Sequence, residues 1–434
     1  MSSILGNAPQ YAPMSQMIES VPESLSSSSN RQPIHTSYTT TRVAAMSQGK
    51  PGSEIRVNIP TGPAAGYMCE PYIVLTCQPT GTFQNGHTGW QFKGPTKSAY
   101  ITIQNYTSYF GAVLGDQLNY INKVFEDIIN HQSCPGYITA DFAQMAYAGR
   151  TGLDTAAQNV GAVSVAGKGE AFTVCLPLVG ILASKNQSFP LFLLNSPLQL
   201  VFQFAPLNNI WCESGNTAAG LTDMDYTLSI VYKKIDTSYD FANQVKQEMA
   251  NGLPYSMDYH EIKCQSQVAT QGNQARLFGL QASSLRGVLL SQILTTDLTA
   301  TAFDANPVLG KCHSISNKIS QFQISVDGFI RDFPLNWSER SIMYAETCKA
   351  LHKLFDSQIV ANMVNYSDYD KSTFLIGKSF LRVSNDSSLS MIGTPCGTLT
   401  INYLNVNGDV TQFLTTIVDA ILNIDAGGNV SIVR

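Results

Sequence analysis

A hydrolase of the serine or cysteine type needs a nucleophile within hydrogen-bond reach of a base, and a third group to orient that base. Histidine is the usual base, and this chain has six: His35, His87, His131, His260, His313 and His352. They stand singly, and no Gly-x-Ser-x-Gly elbow surrounds any serine. Cys312 and His313 are adjacent, but neighbours on a strand point to opposite faces, so the pair is expected to be structural. Metal chemistry has as little to work with, since neither His-Glu-x-x-His nor an EF-hand loop is present. The carboxylates Asp223 and Asp225 in DMDY, and Asp368 and Asp370 in DYD, could hold calcium in a loop; solvated turn positions are the expected role. Gly167-Lys168-Gly169 lacks the Gly-x-x-x-x-Gly-Lys-Ser/Thr frame of a phosphate cradle and leads into an apolar strand rather than a helix. Lys233-Lys234 reads as a solvated strand end. Nine cysteines, none in Cys-x-x-Cys spacing, read as free thiols of a reducing compartment. The expectation is a chain with no catalytic, cofactor-binding or metal-binding residues: not an enzyme.

The elements that would have to position such residues are mostly strands. EIRVNIP and SAYITIQNYTSYF alternate apolar and polar, EPYIVLTCQP is apolar almost throughout, and clusters of Pro, Gly and Asn punctuate them. Leu198, Leu200, Phe202 and Phe204 alternate with Gln199 and Gln203, and Tyr226, Leu228, Ile230 and Tyr232 repeat the pattern. A helix is predicted over 115–131, from Leu118, Ile121, Phe125 and Ile128, with Asp116 as its cap. A shorter one follows Asp236, with Phe241, Val245 and Met249 on one face and Gly252 at its end. Strands resume in ARLFGLQASSLRGVLLSQIL and ISQFQISVDGFIRDFPL. A second long helix is predicted over 338–360, with Ile342, Ala345, Leu351, Phe355 and Ile359 inward, before the chain closes on strands. The division expected is a polar, flexible arm over 1–50, a β-sandwich over 51–236, a helical linker over 237–262 and a second sandwich over 263–434.

Composition narrows the function. The chain has 434 residues and a net charge of −5, without the basic stripe of a nucleic-acid binder. Hydrophobic residues are 44%, enough for sizeable cores, but charged residues are only 13%, against about 25% in ordinary domains. Subunits that bury surface against neighbours need less charge for solubility; Asn, Gln, Ser and Thr replacing charge on an ordinary surface is the equally open reading. MSSILGNAPQYAPMSQ does not read as a signal peptide, and no apolar run reaches the length of a membrane span.

The stretch FTVCLPLVGILASKNQSFPLFLLNSPLQLVFQFAP, leading into YTLSIVYKKIDTSYDFANQVKQEMANG, resembles the end of the first jelly roll in double jelly-roll major capsid proteins. There a Phe-Pro-Leu turn enters a strand, and a later strand ends in an Asp before a short helix; here these are Phe189, Pro190 and Leu191, then Asp236 and Tyr239. ARLFGLQASSLRGVLLSQIL is similar to the opening of the second roll, and FLIGKSFLRVSND, GTLTINYL and AILNIDAGGNVSIVR to its closing strands. The likeness covers most of residues 50–434, and points to the smaller capsid proteins of polinton-like viruses and virophages and, more distantly, to those of large icosahedral DNA viruses. A departure is the short chain, which leaves little room for towers between strands.

The resemblance implies an all-β fold of two consecutive eight-stranded antiparallel jelly rolls, with short helices in the loops and between the halves. It also implies a homotrimer forming a pseudo-hexameric capsomer, made and assembled inside the host cell and located in the virion. Its partners would be copies of itself, penton and minor or cement proteins and, where one exists, an inner membrane; sequence-specific nucleic-acid binding is not implied. The competing class is a two-domain β-sandwich viral protein that binds a receptor or carbohydrate.

Overall fold

The computed structural model describes residues 37–80, 89–92, 99–130, 161–162, 171–183, 188–213, 223–252, 254–299, 311–331, 334–355, 369, 373–381, 392–405 and 407–434. The first half contains β1 (Tyr38–Ala44), β2 (Glu54–Ile59), β3 (Tyr67–Pro79), β4 (Gly89–Phe92), β5 (Ile103–Phe110) and β6 (Val113–Leu118). These are followed by β7 (Gly161–Ala162), β8 (Phe172–Pro177), β9 (Phe189–Pro190), β10 (Leu198–Phe204), β11 (Trp211–Glu213) and β12 (Met224–Ile235). The second half contains β13 (Tyr255–Ala269), β14 (Gly272–Leu294), β15 (Gln321–Val326) and β16 (Phe329–Ile330). It closes with β17 (Ile376–Ser379), β18 (Thr394–Asn405), β19 (Val410–Ile424) and β20 (Val430–Val433).

In the first half, β1-β12-β3-β8 forms one sheet, with β9 added to β3, and β2-β10-β5-β6 forms the other, while β11-β4-β7 is a small separate ribbon. Apart from the β5–β6 hairpin, neighbours in both sheets come from distant parts of the chain, and all pair antiparallel, the wiring of a jelly roll. The alternation legible in the sequence sets which face turns inward. Ile55, Val57 and Ile59 of β2, Leu198, Leu200, Phe202 and Phe204 of β10, and Tyr226, Leu228 and Ile230 of β12 are all buried between the sheets. The Phe204 and Tyr226 rings stack across that gap at 4.3 Å.

The second half repeats the order with one economy. The 23-residue β14 serves both sheets: Gly272–Leu285 pairs with β18, and Leu285–Leu294 pairs with β19. Register shifts at Gly279/Ala282 and Ala282/Leu285, with Gln281 at φ +48°, bend it between the two, as bulges do. The orders are then β13-β19-β14-β17 and β14-β18-β15-β16, matching those of the first half position for position. In each roll a helix occupies the same connection: α1 (Ile121–Asn130) between β6 and β8, and α3 (Arg340–Phe355) between β16 and β17. Between the rolls lies α2 (Tyr239–Ala250), capped by the Ser238 hydroxyl accepting from the Phe241 N–H, with Ala242, Val245 and Met249 buried. The fold is a double jelly roll.

Four expectations need correction. The helix predicted from 115 starts only at Ile121; residues 113–118 are strand β6, and Asp116 is buried inside it rather than capping a helix. Leu118 fits strand alternation as well as helical spacing, so a short apolar run misled the period. The polar arm is not all arm: Tyr38–Ala44 pairs with β12 along its whole length, the ladder supplying what apolar side chains do not. The linker is shorter than 237–262, since β13 is under way from Tyr255.

The fourth correction concerns α3, which is rotated from its predicted phase. Ile342 and Ala345 are exposed, while Met343, Thr347, Ala350 and Leu354 are buried; Leu351 is buried as predicted, and the Phe355 side chain and Ile359 lie outside the described residues. Thr347 explains the rotation: its hydroxyl lies 2.8 Å from the Met343 carbonyl and 3.0 Å from the Leu375 carbonyl, and accepts from the Gly377 N–H at 3.0 Å. A residue scored as polar is thus the tie between helix and β17. Thr347→Val is expected to strand these buried backbone groups and lower stability by about 1–3 kcal/mol, read from the denaturation midpoint.

Candidate functional site

Among the described residues, those singled out for chemistry do not converge. Lys50 Nζ sits 2.5 Å from Asp223 and 3.5 Å from Asp225, so an ammonium fills the place a cation would take, and its hydrogen bond holds the Asp223 carboxyl below the usual range. Cys312 and His313 are both buried; burial pushes the thiol far up, away from the nucleophilic thiolate, and His313 Nε2 faces Asp297 at 3.4 Å. His260 lies 3.7 Å from Asp419, which Arg286 and Ser284 already engage. Lys234 pairs with Asp236 at 2.8 Å, and Lys233 stands over the Tyr38 ring. Phe189, Pro190 and Leu191 are buried, with Phe189 and Pro190 forming β9. Seven described cysteines are free thiols. His35, His87, His131, Gly167-Lys168-Gly169, Asp368 and Asp370 lie outside the described residues.

What does converge is the contact between the two rolls. α1 is buried on every side described: Ile121, Val124 and Phe125 turn to the first roll, where Phe125 stacks on Tyr100 at 3.6 Å. Lys123 and Asp127, one turn apart, form an ion pair and turn to the second roll. Lys123 Nζ donates to Ser314 Oγ at 2.5 Å, and Asp127 accepts from Ser314 at 3.0 Å and Ser291 at 2.6 Å. Lys123 is 2% exposed and Asp127 5%, so this is an ion pair in a protein interior, closed by hydroxyls of the opposite roll.

Around the pair the seam is apolar and continuous. Tyr120 meets Phe413 edge-on at 5.2 Å, and one buried cluster runs from first-roll residues such as Leu193 to second-roll residues such as Leu422. Backbone closes it at two further points. Asn195 Nδ2 donates to the Gly427 carbonyl at 2.6 Å, and Arg434 donates to the Gly115 carbonyl at 2.8 Å while gripping both oxygens of Glu261.

The outer face of the second roll is the other notable surface. Its cross-strand rows read Asn273–Leu404–Gln321, Ala275–Asn402–Gln323 and Leu277–Thr400–Ser325–Ile330. No Asp, Glu, Lys or Arg stands in them. Leu277 is 59% exposed and Ile330 64%, an apolar display on an uncharged polar ground.

No sequence-family model and no curated sequence matches this chain. Solved structures do. The Faustovirus major capsid protein superposes with a TM-score of 0.60 at 7% identity, over 92% of this chain and 92% of that one. A quasi-atomic structure of the PBCV-1 virus capsid gives 0.54 at 11% identity, over 92% and 97%. The mavirus major capsid protein gives 0.51 at 10% identity, over 91% and 90%. The likeness runs through both rolls, and the chain has the fold of the double jelly-roll major capsid proteins.

Proposed function

We propose that this chain is the major capsid subunit of an icosahedral double-stranded DNA virus, forming trimeric, pseudo-hexameric capsomers that tile the shell. The first roll runs from β1 through β12 and the second from β13 through β20. Two rolls of the same strand order, tied at a buried seam, give each subunit two similar walls, and three subunits about an axis give six. Such a subunit works by contact rather than catalysis. Penton and minor proteins, and a membrane where one underlies the shell, would meet the capsomer at its rim and base, within the virion assembled in the host cell.

The observation that carries this reading is the set of three uncharged cross-strand rows on the outer face of the second roll, bordered by Asp327. In a chain of net charge −5, a patch of uncharged rows meets another copy with little like-charge repulsion, and offers an oppositely charged partner little to grip. At about 3.3 Å per residue and 4.8 Å per strand, the outer rows of β14, β18, β15 and β16 extend over some hundreds of Å2. That is a substantial part of the ~800 Å2 that a partner contributes to a standard interface. Light scattering on the purified chain is expected to give three times the 47.2 kDa subunit mass. Leu277→Glu with Ile330→Glu should weaken self-association at least about tenfold, since each carboxylate would be buried unpaired. A monomer at high concentration refutes the reading. Negative-stain images of hexagonal particles or flat hexagonal arrays would support it directly.

A further inference from the structure

The seam holds one carboxyl that the assembly reading does not use. Asp116 lies in the middle of β6 and is 3% exposed. Its Oδ2 accepts the Ile181 N–H at 2.8 Å, and the carboxyl is pressed against Gly180 so closely that an added Cβ there would stand 2.3 Å from it. The groups facing it come from three elements. From β5, Ser108 Oγ accepts the Asp116 N–H at 2.8 Å, and the Tyr106 phenol is buried beside it. From β13 come the Glu261 carboxylate and the Tyr259 phenol. From the end of β20 comes Arg434, whose guanidinium gives its hydrogen bonds to Glu261, at 2.9 and 2.8 Å, and to the carbonyl of Gly115. Lys263 also engages Glu261, at 2.9 Å. Both cations are thus committed to Glu261, which belongs to the second roll, and Asp116 of the first roll is a second acid in the same buried space.

We propose that Asp116, Glu261 and Arg434 form a proton-operated latch between the two rolls, shut while Asp116 is neutral and loosened when it ionises. A neutral Asp116 costs far less to bury than a charged one and does not repel Glu261. An ionised one must share a buried site with that carboxylate, and competes for the guanidinium that joins β20 to β6. Burial accordingly pushes the Asp116 carboxyl up to about 7, with Glu261 adding to the effect and the Ile181 N–H and Arg434 opposing it. In the unfolded or opened chain the group returns to about 3.9. Between these limits the closed state holds a proton that the open state lacks, so closure weakens as pH rises from about 4 to 7 and levels off above that, where both states are ionised.

Hydrogen exchange on the purified chain at pH 5.5 and 8.0, corrected for the intrinsic pH dependence of exchange, tests this without reference to assembly. The amides of Ile181 and of β20 are expected to lose about thirtyfold in protection over that interval, the ratio that a carboxyl near 7 when closed and near 3.9 when open predicts. In Asp116→Asn, which keeps the acceptor for Ile181 but cannot ionise, protection should stay level. Parallel loss in both proteins, or level protection in both, overturns the proposal. Should the variant fail to fold, infrared spectroscopy of the wild-type chain decides: a protonated carboxyl band at pH 6 that fades by pH 8.5 supports the latch, and its absence at pH 6 overturns it. Neither readout depends on whether copies associate, so a failed latch leaves the capsid reading standing, and a failed capsid reading leaves the latch to be judged by exchange alone.

Discussion

Replacing Lys123 by Met is expected to cost about 3–5 kcal/mol of stability, the penalty for leaving one member of a buried ion pair without its partner. The ammonium and the Asp127 carboxylate are both nearly inaccessible, and Ser291 and Ser314 of the second roll complete their shell. Without the ammonium, Asp127 keeps its two hydroxyl donors but is left charged in an interior that also contains Glu126. The loss should concentrate at the seam, because α1 meets the second roll through this cluster. Urea unfolding of the native chain is expected to give one cooperative transition, and Lys123→Met two, as the rolls uncouple. Lys123→Met combined with Asp127→Leu replaces the pair by apolar groups of similar size and should recover most of the loss. If the single substitution costs under about 1 kcal/mol, the pair is solvated and does not hold the seam.

Little of this joint was legible in the sequence, though most of the rolls were. The alternation in β2, β10 and β12 needs only local information, since a strand with one face in a core repeats every second residue. The period failed where burial came from elsewhere in the chain. β6 was read as a helix start because its apolar positions are few and the helix beyond it is real. α3 was mis-phased because a threonine, not an aliphatic residue, makes its contact with β17. Lys123, Glu126 and Asp127 gave no sign of burial, because charge is normally solvated and only a second roll pressed against α1 reverses that. The one cue available was α1 itself, with apolar residues on one side and a Lys–Asp pair at a four-residue spacing on the other. The strand order shared by the two rolls left no residue-level repeat, because it is a property of backbone pairing, and many side-chain sets satisfy the same wiring.

The sharpest test of roll orientation lies at a residue with no side chain. Gly428, in the turn between β19 and β20, has φ +76°, and a Cβ added there would stand 2.5 Å from the Leu193 carbonyl oxygen and 2.8 Å from the Asn195 nitrogen of the first roll. Gly428→Val therefore carries two costs: a left-handed backbone that β-branched residues avoid, about 1–3 kcal/mol, and a collision with backbone that cannot rotate away, about 1–3 kcal/mol more. Gly408→Val separates them, since Gly408 has φ +107° but nothing within 4 Å of an added Cβ, so only the backbone cost applies. Gly428→Val is expected to be the more destabilised of the two in thermal unfolding. It alone should also lose self-association by light scattering, because prising the rolls apart breaks the Asn195–Gly427 bond and changes the angle between the two walls. Equal stability and equal assembly in the two variants would mean that the close approach at Gly428 sets nothing beyond its own turn. The walls would then owe their orientation to the ion pair and apolar seam alone.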